Sequence, residues 1–225
     1  MTKRPNRKMK ISYGITVHNE SEELNKLLEV LVSNIDGDDE IVICDDFSNE
    51  ETKEVIEHWD LHSPDNMVIT HYTRKLNGNF ADHKNSVIEK SVGDYIFHID
   101  ADEYPHETLI EQLPEILTIN DVDLVWIPRV NTIDGMTEQD VMKWGWRVSE
   151  QGWVNYPDYQ SRVFRRDENI RWTRPLHEHI VGCKTYSHLP PHEELSLYHP
   201  KTIEKQTQQN VFYNQNFSQE LNRRG

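Results

Sequence analysis

The sequence predicts an α/β fold, a mostly parallel central sheet covered by helices on both faces, and two observations carry that prediction. Apolar, β-branched runs alternate with stretches of helical period four times between residues 11 and 99, the repeat of a parallel sheet with right-handed crossovers. Each run is apolar on successive residues rather than alternate ones, as strands buried on both faces require.

Taken in order, residues 11–17 (ISYGITV) read as a central strand. Asn19 or Ser21 can cap the helix that follows, with acids in its first turn and Leu24, Leu27, Leu28 and Leu31 on one face. Residues 36–39 form a turn, 40–44 (EIVIC) a second buried strand and 51–59 a second helix. A third short strand at 67–72 leads to a turn at 76–79 and a helix over 80–91, which Gly93 ends. The fourth strand, 95–99, runs straight into Asp100, Asp102 and Glu103. A helix at 107–117 and a strand at 123–130 complete the regular part. From Asn131 onward the rhythm breaks, and Trp144, Trp146, Trp153 and Tyr156 crowd a stretch with the look of long functional loops. Strands are expected at 160–165 and 171–181, and a polar surface helix with a frayed end at 201–221.

Polar loops follow three of the strands, at residues 18–20, 45–48 and 100–103. In an open α/β sheet the carboxyl ends of the strands bind ligands, so these loops should converge on one cleft. Asp100 and Asp102 are hard oxygen ligands one residue apart, suited to Mg²⁺ or Mn²⁺ with coordination positions left for phosphate oxygens.

Bulk properties narrow the class. A chain of 225 residues can bury a full core, and its net charge of −15 repels polyanions over most of the surface. Nucleic acid is therefore a disfavoured partner. Lys3, Arg4, Arg7, Lys8 and Lys10 make residues 1–10 a basic arm, either a flexible solubilising tail or a contact for phosphate or anionic lipid. No apolar run reaches the roughly 18 to 20 residues of a membrane helix. No signal-like core follows the arm, so a cytoplasmic protein is expected. Cys44 and Cys183 are too few and too separated for a disulfide framework or a metal motif.

The segments Ile15-Thr16-Val17-His18-Asn19-Glu20, Ile41-Val42-Ile43-Cys44-Asp45-Asp46-Phe47-Ser48, the helix start at residues 79–85, and Gly93 through Asp100-Ala101-Asp102-Glu103 together resemble the family 2 glycosyltransferases. That resemblance implies the GT-A (Rossmann-like) fold, with residues 11–130 as a nucleotide-sugar-binding half. Residues 131–200 would form an aromatic-rich acceptor-binding and catalytic half, and 201–225 a C-terminal helix and tail. It also implies a nucleotide-sugar donor, a UDP-sugar by preference. Asp46 would accept from the N3–H of a uracil-like base, with Thr16 and His18 lining the base pocket and Glu20 and Ala101 among the donor-binding residues, while Asp45 is its rival as a simple helix cap. Lys84, with Asp82 or His83 beside it, would meet the nucleotide diphosphate. Asp102 would coordinate Mn²⁺ or Mg²⁺ directly, Asp100 would hold the ribose or reach the metal through water, and His177 or His199 would add a further ligand. Residues 159–165 and 175–178 look like a subgroup whose acceptors include lipopolysaccharide sugars and peptides.

Chemistry fills in the remaining roles. An inverting transfer needs a carboxylate to take the acceptor proton, and Glu178 is the first candidate, with Asp158 in reserve. On a strand, His177 and His179 would share one face and Glu178 the other, and His179 is read as an ordinary surface or core histidine. Arg162, Arg165 and Arg174 offer guanidinium forks for a diphosphate, and the tryptophans suit either sugar stacking or plain burial. The expected acceptor is a glycan or lipid-linked sugar, then a peptide side chain, then a hydroxylated DNA base. Rival readings are a nucleotide-sugar binding protein without transferase activity and a metal-dependent hydrolase of nucleotide diphosphates.

Overall fold

A computed structural model describes residues 9–218. The basic side chains at positions 3, 4, 7 and 8, and the end of the expected C-terminal helix at 219–221, lie outside the described residues.

The centre of the molecule is β1 (Ile11–Val17), flanked in parallel by β2 (Glu40–Asp45) and β4 (Tyr95–Asp100). The register sets Thr16 opposite Asp100 and Val17 opposite Asp45, so the three post-strand loops leave the sheet at one edge. β3 (Val68–Thr73) extends the sheet beyond β2. On the other side β8 (Gln160–Arg165) pairs antiparallel with β4 and with β6 (Leu124–Ile127), and β11 (Tyr186–His188) closes a seven-stranded sheet.

Both faces are covered. The leucine face of α1 (Ser21–Asn34) is fully buried with Leu109, Ile110, Leu113 and Leu117 of α4 (Glu107–Asn120), and α2 (Glu50–His62) adds Ile56 to the same cluster. Fully burying one such leucine is worth about 1.5–3 kcal/mol. The opposite face takes α3 (Phe80–Lys90), which seats Val87 so close to β1 that a Cβ on Gly14 would lie 2.5 Å from its Cγ1. That approach positions Lys84, on the same helix, over the edge of the sheet.

Four expectations need correction. The strand at 123–130 is two strands: Pro128 has no N–H to continue a ladder, and the chain leaves β6 there for β7 (Arg129–Asp134) in a separate sheet. That sheet has the order β5 (Tyr104–Pro105), β12 (Leu197–Thr202), β7. The span 171–181 is a hairpin of β9 (Arg171–Thr173) and β10 (His179–Val181), whose turn carries left-handed backbone at Arg174 and His177. His177 and Glu178 therefore do not alternate on one strand. Within the aromatic stretch, α5 (Glu138–Trp144) starts on a Thr137/Asp140 capping box and stops at the left-handed Gly145. Finally, α6 (Ile203–Asn216) begins after Thr202, whose hydroxyl accepts from Lys205 N, because residues 197–202 are used as a strand. Among the described residues no helix is long and apolar enough to cross a membrane.

Candidate active site

The three loops open onto one cleft of about 880 Å³. Its first wall is built from Thr16, His18, Glu20, Asp46 and Leu76. The loops after β1 and β2 are pinned together: Asn19 N–H donates to Ser48 Oγ at 3.0 Å, and Asn49 N–H to Asn19 Oδ1 at 2.7 Å. His18 Nδ1 lies 2.8 Å from the Asp46 carbonyl oxygen, and Leu76 N–H donates to Asp46 Oδ1 at 2.8 Å. The second oxygen of Asp46, Oδ2, lies 3.8 Å from His18 Nδ1. Asp45 is buried and accepts from Ser48 N–H at 2.9 Å, and Asn49 rather than Asp45 caps α2. The two adjacent aspartates thus divide into one that holds the loop and one that faces the cleft.

The floor is a buried charge network. Asp100 is gripped by Arg162 through a very short contact and by Lys84 Nζ at 3.1 Å, and His98 Nε2 sits 3.5 Å away. Burial alone would raise the Asp100 pKa, but Arg162 and Lys84 outweigh it and hold the carboxyl well below its usual range. Glu103, fully buried, accepts from Arg162 at 2.7 Å and from Arg129 at 2.6 Å. His98 is fully buried with its ring edge-on to Trp172, and burial lowers its pKa to about 4, so it is neutral. Removing one member of such a network strands a buried charge. Glu103→Ala should accordingly cost about 3–5 kcal/mol, read as a lower denaturant midpoint, while Glu22→Ala on the exposed start of α1 should leave that midpoint unmoved.

Asp102 points elsewhere. Its Oδ2 lies 3.3 Å from His199 Nε2 and 3.5 Å from Lys201 Nζ, and these contacts overcome the upward push of burial to keep it ionised. The cause is local: Glu103 N–H returns to Asp100 O at 2.9 Å, a tight turn that sends the two aspartates toward different partners. Glu20, paired with Lys205 at 3.5 Å, is pushed up to about 7 by burial and then by the Asp102 charge.

Glu178 reaches the cleft from the β9–β10 turn, with Oε1 2.5 Å from Lys84 Nζ. Burial opposes its ionisation, but Lys84 prevails and lowers its pKa. The Lys84 ammonium also rests 4.8 Å from the Trp172 ring centroid, so one buried lysine serves Asp100, Glu178 and an aromatic face. Asp158 faces the cleft too, but its Oδ2 already takes Arg129 and Asn131.

Thr16, His18, Glu20, Asp46, Lys84, Asp100, Ala101, Asp102, Asp158, Arg162, His177, Glu178 and His199 all line this cleft. Arg165 does not. It pairs in register with Tyr95 at the far end of β4, bonds Asp121 at 2.7 Å and stacks on Tyr95, so the antiparallel run of β8 carries it away from Asp100. Arg174 is likewise outside the lining, and Arg162 is a buried partner of Asp100 and Glu103. His199 is the histidine set against Asp102, whereas the His177 ring faces Tyr213 at 6.1 Å. His179 is exposed beside Thr173.

Several lining residues had no part in the sequence reading: Arg129 and Asn131 on β7, Lys201 on β12, and Gln206, Gln209, Asn210 and Tyr213 on α6. His199 and Lys201 are spaced by two, the signature of one strand face, and this was the readable signal. Trp144 and Trp146, with centroids 4.4 Å apart, also line the cleft. Trp153 packs on Tyr156 and Trp126 on His188, both behind the lining.

Among the described residues no three His, Cys, Asp or Glu side chains are gathered tightly enough to hold a metal unaided. Asp102 and His199 nevertheless fit one. Mg²⁺ and Mn²⁺ sites commonly use one or two protein ligands and take the rest from substrate phosphates and water.

A mostly parallel, helix-covered sheet with its acidic loops gathered at the carboxyl edge is the GT-A fold, the class of scaffold that nucleotide-sugar transferases use. The family model for glycosyl transferase family 2 matches residues 12–189, and the chain belongs to that family. It is 25% identical over 213 residues to the SPbeta prophage-derived glycosyltransferase SunS of Bacillus subtilis strain 168, covering 89% of this chain and 43% of that protein. Glycosyltransferase SunS of Bacillus phage SPbeta matches to the same extent. The chain thus spans under half the length of these curated relatives. The crystal structure of S. aureus TarS 1–349 in complex with UDP-GlcNAc superposes with a TM-score of 0.61 at 16% identity, over 86% of this chain and 59% of that one.

Proposed function

We propose that the protein is an inverting, metal-dependent glycosyltransferase that passes a sugar from a UDP-sugar to an acceptor hydroxyl. The carrying observation is that one cleft holds Asp46, the Asp102–His199 pair and Glu178 together. The uridine preference is supported by Asp46, whose carboxylate suits an imide N–H, and by a fold neighbour solved with UDP-GlcNAc.

In this reading Thr16, His18 and Asp46 seat the base, and Lys84 gives its ammonium to the donor diphosphate. Asp102 and His199 would hold Mn²⁺ or Mg²⁺, which supplies Lewis-acid neutralisation of charge on the departing diphosphate. Asp100, saturated by Lys84 and Arg162, acts as the anchor that fixes those two cations. Glu178 takes the acceptor proton. Before donor binding, Lys84 keeps it ionised; once the lysine turns to the diphosphate, burial raises the proton affinity of Glu178 as the transfer requires.

The acceptor we propose is a glycan or lipid-linked sugar. Support comes from the paired Trp144 and Trp146 rings and the amides of Gln206, Gln209 and Asn210, which line the same cleft. Aromatic faces and neutral amides match the C–H faces and hydroxyls of a sugar better than a polyanion. A peptide side chain is the second acceptor, and a modified DNA base, disfavoured by the −15 charge, the third.

The test is UDP release from a panel of UDP-sugars with Mn²⁺ or Mg²⁺, with and without EDTA and with neutral oligosaccharide acceptors. Metal-dependent release stimulated by acceptor supports the transferase. Donor binding without turnover would favour the binding-protein reading, and free sugar formed without acceptor would favour the hydrolase. Asp46→Ala should weaken UDP binding by about 10- to 100-fold in calorimetry, the worth of one hydrogen bond to a charged group. Asp45→Ala should instead lower the melting temperature.

A further inference from the structure

Asn131 and Asp158 touch neither Asp102 nor Glu178, yet the hydrogen bonds around them fix how His199 presents its ring. β7 and β12 run parallel with Asn131 opposite His199, so amide and imidazole meet across one strand step. The amide's other contacts decide which of its atoms faces the ring. Asn131 Nδ2 donates to Asp158 Oδ2 at 3.0 Å and to Val154 O at 3.3 Å, and both partners are acceptors only. Oδ1 is thereby turned to His199 Nδ1 at 2.7 Å. An acceptor at that distance requires the hydrogen to be on Nδ1.

A neutral His199 then offers Nε2 as a bare lone pair, 3.3 Å from Asp102 Oδ2. Nitrogen and carboxylate lone pairs facing one another are favourable only with a cation between or beside them. Asp158 is held in turn, because Arg129 donates to the same Oδ2 from Nε at 3.0 Å and from a terminal nitrogen at 2.6 Å. Its other oxygen accepts from Gln160 at 3.1 Å. A carboxylate engaged on both oxygens is poorly placed to take a substrate proton.

We propose that Asn131, oriented by Asp158, is a positioning residue: it sets the His199 tautomer so that Nε2 and Asp102 present a matched nitrogen–oxygen pair to a divalent cation. This rests on the metal reading above, and it moves Asp158 from reserve base to orienting group. Outer partners of metal-bound histidines act in this way, and losing one costs about 10- to 100-fold in metal affinity.

The experiment is a Mn²⁺ titration of the UDP-loaded protein, with free Mn²⁺ followed by electron paramagnetic resonance. Asn131→Leu is expected to weaken Mn²⁺ binding by about 10- to 100-fold. With Mg²⁺ in place of Mn²⁺, long-range ¹H–¹⁵N spectra should show the His199 proton on Nδ1. A proton on Nε2 in that complex, or a leucine variant that binds Mn²⁺ as tightly as wild type, overturns the proposal. Should Asn131→Leu not fold, Asp158→Asn serves instead: several-fold weaker Mn²⁺ binding is expected, and unchanged affinity refutes the assignment. Wild-type protein that takes no Mn²⁺ at all sinks the metal reading itself, a result distinct from equal binding by wild type and variant.

Discussion

Asp102→Ala is expected to lower transfer by about a thousandfold or more while leaving the protein folded, an effect of roughly 4 kcal/mol on the barrier. A divalent ion at a departing diphosphate contributes several kcal/mol, and Asp102 is the carboxylate of the pair set against His199 rather than held by Arg162 and Lys84. Its partners, His199 and Lys201, both stand at the cleft, and Glu20 is close enough to be raised by the Asp102 charge. Removing Asp102 relieves that repulsion but leaves the buried Lys201 ammonium with the Gln209 amide oxygen at 3.0 Å in place of a carboxylate, so a modest loss of stability accompanies the loss of the metal ligand. Asp100→Ala should behave in the opposite manner. It leaves Arg162 with Glu103 alone and Lys84 with Glu178 alone, each cation only 5% exposed at the side chain, and the loss appears first as stability. Mn²⁺ affinity, turnover and melting temperature measured on both variants separate the roles. If Asp102→Ala keeps wild-type Mn²⁺ affinity and turnover, the metal is held elsewhere.

Much of the fold was legible because strands buried on both faces leave an unmistakable apolar run. β1, β2 and β4 each have one, and the loops after them carry the polar residues. What the runs do not encode is the direction of the strand laid against β4. Arg162 and Arg165 were both read as phosphate forks, yet residues three apart on a strand face opposite sides, so the pair could not have shared one target. The antiparallel pairing then took Arg165 to the wrong end. The β9–β10 hairpin was missed because its turn depends on left-handed backbone at Arg174 and His177, residue types that do not announce it. α6 read as a surface helix for a physical reason too. A helix that faces a hydrated cleft needs no apolar stripe, and among its described side chains none is buried. Its amides therefore looked like solvent contacts. Asn131 carried no signal of its own, since its role comes from the register of β7 against β12.

Glu178→Gln should lower the transfer rate by about 10²- to 10⁴-fold with UDP-sugar binding held within a few-fold, the range for loss of a positioned base. Glutamine matches the carboxylate in shape and still presents an oxygen to Lys84, so the 2.5 Å contact survives as a weaker hydrogen bond. What is lost is a proton acceptor. The pH profile sharpens the assignment. Because Lys84 holds the Glu178 pKa below its ordinary value, the free enzyme's rate should fall only at strongly acid pH. Lys84→Met removes that restraint. Burial then dominates, the Glu178 pKa rises, and the acid limb of kcat/KM should move toward neutral pH as the unionised fraction of the base grows. The same variant also loses a diphosphate contact, so donor KM rises with it. A double variant, Lys84→Met with Glu178→Gln, should show no further shift of the acid limb, since the titrating group is gone. If the limb still moves in the double variant, the group that titrates is not Glu178, and the proton must be taken by another carboxylate of the cleft.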